Sequence, residues 1–303
     1  VTLDDVVMNY NTYFVPANAY LVIVGDVNFK EVKKEVERLF GSWKKATAPQ
    51  LTYTAPKDVQ YSQINFIDTP NAVQSEIALV NLSNLKMTDK EYFSVLLANQ
   101  ILGGGGEGRL FLNLREKHGW TYGAYSSIGS GKYISKFRSS ASVRNTVTDS
   151  AVVEFFNELK RIKTDLVSEE DLRNAKAKYV GNFVMQIEKP STIAGYALNK
   201  ETQGLPEDFY ENYIKNINAV TAEDIKNAAN KYFLSDKTRV VIVGKAGDVL
   251  PGLEAMSKRE KLPIFYFDKY GNPTEKPEVK KPVPAGVTAQ TVLNTYINSI
   301  GGE

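Results

Sequence analysis

The stretch Val220–Gly244, VTAEDIKNAANKYFLSDKTRVVIVG, aligns without gaps onto Val1–Gly25, VTLDDVVMNYNTYFVPANAYLVIVG. Thr221 and Thr2 can each cap a helix, and the acid three residues on, Asp224 or Asp5, completes a capping-box pattern. Each helix should end near its Tyr-Phe pair, Tyr232-Phe233 or Tyr13-Phe14. After a turn, buried strands are expected at Val240–Val243 and Tyr20–Val24. A helix start, an aromatic pair and a strand kept in one register argue for two copies of one unit. In the second copy roughly 165 residues of patterned sequence precede the unit, so about that much chain is expected upstream of Val1.

Working outward, Asp58–Thr69 and Val73–Ser83 are rich in β-branched residues and are joined by Pro70-Asn71, which predicts two strands and a turn. Thr88–Leu102 has helical spacing, with Thr88 as its cap, and Gly103–Gly106 ends it. Arg109–His118 reads as a second helix stopped by Gly119, followed by strands at Trp120–Ser127 and Tyr133–Val143. Helices are expected near Val147–Thr164, Ser168–Ile187, Ser191–Gln203 and Pro206–Asn216. The pattern predicts an α+β fold: a two-layer sandwich of a mostly antiparallel sheet with helices on one face, duplicated, the first copy truncated. The expected domains are a remnant of the preceding copy at 1–48, with a helix–strand–helix pattern, and a complete copy at 49–270. A Pro-rich linker at 271–286 and the start of a further truncated domain at 287–303 follow.

Composition excludes several kinds of chemistry. There are no cysteines and one histidine, His118, so neither a thiol nucleophile nor an ordinary zinc site can be assembled from this chain. No G-x-S-x-G elbow presents a serine to that histidine. Net charge is +2 with acids and bases interleaved, which speaks against a nucleic-acid stripe. No apolar run reaches the roughly 20 residues of a membrane span.

Gly103, Gly105 and Gly108 formally match G-x-G-x-x-G, but a dinucleotide site needs a strand before the glycines, and helical spacing precedes these. In the next helix Leu110, Phe111 and Leu114 mark an apolar sector at roughly 100° per residue, with Arg109, Asn113, Glu116 and Lys117 opposite. Arg115 falls at the edge of that sector, as a packing stem or as a functional cation. His118 lies in the last turn, near the free carbonyls. Strand alternation puts Tyr122 on the side of Trp120 and Ala124.

The run Leu102–Ser126, LGGGGEGRLFLNLREKHGWTYGAYS, resembles the pitrilysin/insulinase metallopeptidase family, which includes the mitochondrial processing peptidase subunits. The likeness rests on Arg109-Leu110-Phe111, Leu114-Arg115-Glu116-Lys117, Gly119 and Tyr122, and the duplicated V-T … V-I-V-G unit is similar to the family's domain ends. The resemblance implies that zinc sits on an H-x-x-E-H motif in a missing N-terminal half or in a partner subunit, leaving this half without a cofactor. It further implies that Arg115 binds substrate and that Tyr122 binds substrate and acts in catalysis, facing the metal across an enclosed chamber. Peptides would be the substrates, and the tail resembles that of bacterial members of the Gram-negative periplasm or envelope. A structural or peptide-binding paralogue without activity is the other expectation.

Overall fold

Alternation in Gln74–Ser83 sets the sheet. Ser75, Ile77, Leu79, Asn81 and Ser83 are buried, whereas the intervening side chains are exposed or half-buried, so the strand has one covered and one open face. The computed structural model describes residues 1–50, 52–279 and 286–302. Its elements begin with α1 (Leu3–Tyr13), α2 (Phe29–Phe40), β1 (Gln63–Asp68), β2 (Gln74–Ser83), α3 (Tyr92–Gly103) and α4 (Arg109–Phe111). Next come β3 (Thr121–Ile128), β4 (Ser135–Arg144), α5 (Thr148–Thr164), α6 (Glu169–Ile187), α7 (Pro190–Gln203), α8 (Tyr213–Ala219) and α9 (Ala222–Tyr232). The chain closes with β5 (Arg239–Gly244), α10 (Ala246–Glu260), β6 (Ile264–Phe267), β7 (Pro273–Thr274) and α11 (Ala289–Ser299).

These strands form one mixed, mostly antiparallel sheet in the order β3-β4-β2-β5-β1-β6-β7, and eleven helices accompany it among the described residues. The parallel pairings are β1 with β5 and with β6. Helices α3, α5, α9 and α10 pack together over the covered face, closing on Ile64, Phe66, Ile77, Leu79, Phe137 and Ile242. Each such fully buried side chain contributes about 1.5–3 kcal/mol of transfer free energy. Asn81 stitches the layers: its Nδ2 donates to the Tyr232 carbonyl at 3.0 Å and its Oδ1 accepts from the Leu234 N–H at 3.1 Å.

The α+β class and the antiparallel majority agree with the sequence, while several boundaries move. The helix expected from Thr88 starts at Tyr92, because Asp89 spends its carboxylate on the Lys86 N–H and Glu91 pairs with Lys231 instead of capping. The strand expected at Asp58–Thr69 begins only at Gln63. The central α10 and the strands β6 and β7 were not anticipated, and β7 lies beyond residue 270. Part of the expected linker, with Pro282 and Pro284, falls outside the described residues.

The two similar segments, Val1–Gly25 and Val220–Gly244, match in their helices. Both are 11 residues long and carry the reciprocal Thr–Asp capping box, with cap dihedrals of −98°, 169° at Thr2 and −101°, 167° at Thr221. Their strands do not match. Arg239–Gly244 lies between β2 and β1, whereas residues 20–24 form no strand, contrary to expectation. Strands exist by pairing, and no neighbour lies beside residues 20–24 among the described residues; Tyr20, Leu21, Ile23 and Val24 are exposed.

Candidate functional site

The candidate residues sit where α3 hands over to the sheet's β3 edge. Helix α3 approaches β3 closely because Gly103 has no side chain: a Cβ there would lie 2.5 Å from the Ser126 nitrogen. Asn99 ties the two together, donating from Nδ2 to the Ser126 carbonyl and accepting from the Ser126 hydroxyl at its backbone carbonyl, both at 3.3 Å. The glycine run then turns the chain, with Gly105 at φ 153°, and feeds it into α4.

From Leu112 to Lys117 the helix widens to i→i+5 bonding, a π-turn, in which the His118 N–H reaches the Asn113 carbonyl at 3.1 Å. Two side-chain directions expected at 100° per residue are corrected by tertiary partners. Arg109 and Asn113, placed on the solvent side from sequence, are both only 8% exposed. Arg109 pairs with Asp171 at 3.3 Å. Asn113 donates to Glu154 at 2.7 Å and to the buried Glu158 at 2.8 Å, pinning the π-turn against α5.

Arg115 projects outward with its side chain 46% exposed, its guanidinium 4.7 Å above the Phe111 ring and its Nε 3.6 Å from Glu116. Phe111 in turn lies 5.9 Å from Tyr125, so Arg115, Phe111 and Tyr125 form one row. His118 is half-buried and stacks on Trp120 at 4.1 Å, and Gly119 takes φ 62° to turn the chain into β3.

Tyr122 is not on the side of Ala124, as plain alternation would have it. A bulge shifts the register between Thr121 and Ala124, and Thr121 Oγ1 bonds both polar groups of the Gly123 backbone. Ala124 is therefore buried, whereas Tyr122 is 86% exposed and Tyr125 47% exposed. Tyr125 lies so close over Gly123 that any Cβ there would strike its ring. Sequence reasoning missed Tyr125; a glycine within a strand pattern was the signal that could have pointed to the bulge. Arg115 and Tyr122 share no hydrogen bond, and the Phe111–Tyr125 row accounts for the position of the arginine.

The residues present do not suit zinc. The chain has one histidine and no cysteine, and among the described residues no group of three or more His, Cys, Asp or Glu could hold a metal ion. Nor is any helix there long and apolar enough to cross a membrane.

Solved structures share the architecture. A peptidase M16 inactive domain from Pseudomonas fluorescens superposes with a TM-score of 0.73 at 24% identity, covering 81% of this chain and 58% of that one. The periplasmic protease PqqL from Escherichia coli gives a TM-score of 0.61 at 13% identity, over 73% of this chain and 24% of that one. The fold is thus shared with a peptidase domain and a protease. The chain belongs to the peptidase M16 inactive domain family, which matches residues 1–179. Among curated relatives, an uncharacterized zinc protease of Rickettsia bellii is 29% identical over 241 residues, 74% of this chain and 53% of that protein. The probable inactive metalloprotease YmfF of Bacillus subtilis is 25% identical over 231 residues, 76% of this chain and 53% of that protein. The chain spans about half the length of these relatives.

Proposed function

We propose that this chain is the substrate-binding, non-metal half of a zinc-dependent endopeptidase that cleaves peptides in an enclosed chamber. The observation that carries the reading is an exposed arginine and an exposed tyrosine, Arg115 and Tyr122, held on a π-turn and a bulged edge strand of a peptidase-family domain. Tyr122 offers a phenol O–H to the oxygen that gains negative charge as a peptide carbonyl is attacked, an interaction stronger in the transition state than in the ground state. Arg115 offers a fork of donors for a backbone carbonyl or carboxylate and holds the peptide in register.

Zinc belongs to an N-terminal half or a partner subunit that completes the chamber, a reading supported by the half-length match to relatives named zinc proteases. In this proposal residues 1–48 are the end of that preceding domain, which accounts for the exposed apolar side chains of α1 and α2, among them Val6, Met8, Phe29 and Phe40. Residues 49–270, extended through β7 at Pro273–Thr274, are the second domain, the rest of 271–286 is a linker, and 287–303 are the start of a further domain. The periplasm or envelope of a Gram-negative bacterium is the proposed compartment, in keeping with the periplasmic PqqL. A second reading, a paralogue that binds peptides without cleaving them, is favoured by the name of YmfF.

The test uses the full-length protein with peptide substrates. Tyr122→Phe should lower kcat about 100- to 1000-fold with zinc content unchanged. Arg115→Ala should raise KM more than it lowers kcat. Wild-type rates in both variants would remove these residues from the site, and a full-length protein without zinc or turnover would favour the inactive paralogue.

A further inference from the structure

We infer that the open face of the sheet binds an extended acidic peptide, which names the substrate class for the peptide-binding reading and rests on it. The register aligns the open-face side chains in rows across the strands. One row runs Ser127, Arg138, Val80, Arg239, from β3 through β4 and β2 to β5. The adjacent row runs Tyr125, Ser140, Ala78, Val241, so small side chains make a shallow floor beside the tyrosine and the cations. Lys136 precedes Arg138 on the same face of β4.

Lys136, Arg138 and Arg239 are exposed, and none has a carboxylate within ion-pair distance among the described residues. One carboxylate, Glu76, shares the face, in register with Ser142 and so four residues along β4 from Arg138. Glu76 accepts from the Ser142 hydroxyl, and Asp58 accepts from the Leu82 N–H at 2.9 Å. In a chain with a net charge of only +2, three unpaired cations on one sheet face are a concentrated positive surface.

Spacing selects the ligand. Lys136 and Arg138 stand two residues apart on a strand, about 7 Å, which is also the distance between same-side residues i and i+2 of an extended peptide. Arg239 lies two strands over from Arg138, about 10 Å away. A peptide laid along β4 with two carboxylates at alternate positions therefore meets Lys136 and Arg138 in register, with Arg239 about 10 Å to one side. A nucleic acid fits less well, because few aromatic rings share the face for base stacking.

The experiment measures fluorescence anisotropy of labelled decapeptides with the chain at low and raised salt. The probes carry Glu at alternate positions, the same Glu residues clustered, or Lys in place of Glu; a single-stranded oligonucleotide is the fourth. The alternating Glu peptide should bind at least about tenfold tighter than the Lys peptide, with a preference that shrinks as salt screens it. Arg138→Glu should abolish that preference, and Arg138→Gln, which only removes charge, should weaken it with an unchanged circular dichroism spectrum. Equal binding of the Glu and Lys peptides would overturn the charge preference while leaving peptide binding intact. Equal binding of alternating and clustered Glu would overturn the strand-spacing argument. Tighter binding of the oligonucleotide would overturn the assignment to peptides, and failure of every peptide to bind would overturn both readings.

Discussion

Replacing Gly103 with alanine tests whether the glycine run is a packing device or a flexible loop. A Cβ at this position would sit 2.5 Å from the Ser126 nitrogen, 2.8 Å from its hydroxyl oxygen and 3.0 Å from Leu110 Cδ1. Comfortable separations are about 3.5–4.0 Å, so α3 must retreat from β3 by roughly 1 Å. That retreat strains the Asn99–Ser126 hydrogen bonds, which are already 3.3 Å long. Overpacking costs about 1–3 kcal/mol and each weakened hydrogen bond up to about 1 kcal/mol, while the better helix propensity of alanine returns somewhat less than 1 kcal/mol. The expected net loss is about 1–4 kcal/mol. Gly106→Ala is the internal control: its Cβ would meet only Phe111, at 3.8 Å, and its φ is not left-handed. That change should be neutral, or stabilising by up to about 1 kcal/mol through the unfolded chain. Urea unfolding followed by both circular dichroism and tryptophan fluorescence gives the two values if the transitions coincide. Gly103→Ala within about 0.5 kcal/mol of wild type would refute the close approach of helix and strand. Equal losses at Gly103 and Gly106 would refute the distinction between them.

Asn113→Ala leaves the buried Glu158 without its short donor and should cost about 2–3 kcal/mol in urea unfolding. Asn113→Asp sets a third carboxylate beside Glu154 and Glu158 and should cost more than Asn113→Ala at neutral pH. At the α9 cap, the Thr221 hydroxyl, then the Thr221 N–H, hold Asp224 below its ordinary value of 3.8. Its contribution is fully present above that value and fades as pH falls through the lower folded one, so wild type and Asp224→Asn should converge in stability at acid pH.

The elements that local patterns define were readable from the chain. The alternation of Gln74–Ser83, the capping box at Thr221 and the spacing of Thr148–Thr164 each act within one segment, and these segments fold much as read. The pairing of Ile264–Phe267 with Gln63–Asp68 was not readable, because nothing local to either strand names a partner so far along the chain. At the candidate site, the motif in Leu102–Ser126 drew attention to Arg115 and Tyr122, but their directions depend on an inserted π-turn and a bulge. Both insert one residue into a repeat, which helical or strand periodicity cannot register. The cations of the open face escaped notice for a related reason: Lys136 and Arg138 look like ordinary strand exteriors until register aligns Arg138 with Arg239.

The parallel placement of β1 between β5 and β6 governs the order in which the molecule can assemble. Beside it, the Ser62 hydroxyl bonds the Ser235 carbonyl across 173 residues of sequence. At synthesis rates of about 5–20 residues per second, β1 leaves the ribosome roughly 9–35 s before the strand that will flank it. The β2, β3 and β4 strands and the helices α3 and α4 between β2 and β3 can meet early, since their contacts are closer in sequence. Closure of the sheet's middle must wait for β5 and closes a long loop. During that interval the apolar edge of β1 has no native neighbour, which makes nascent chains stalled short of residue 239 the species most exposed to aggregation and to chaperone capture.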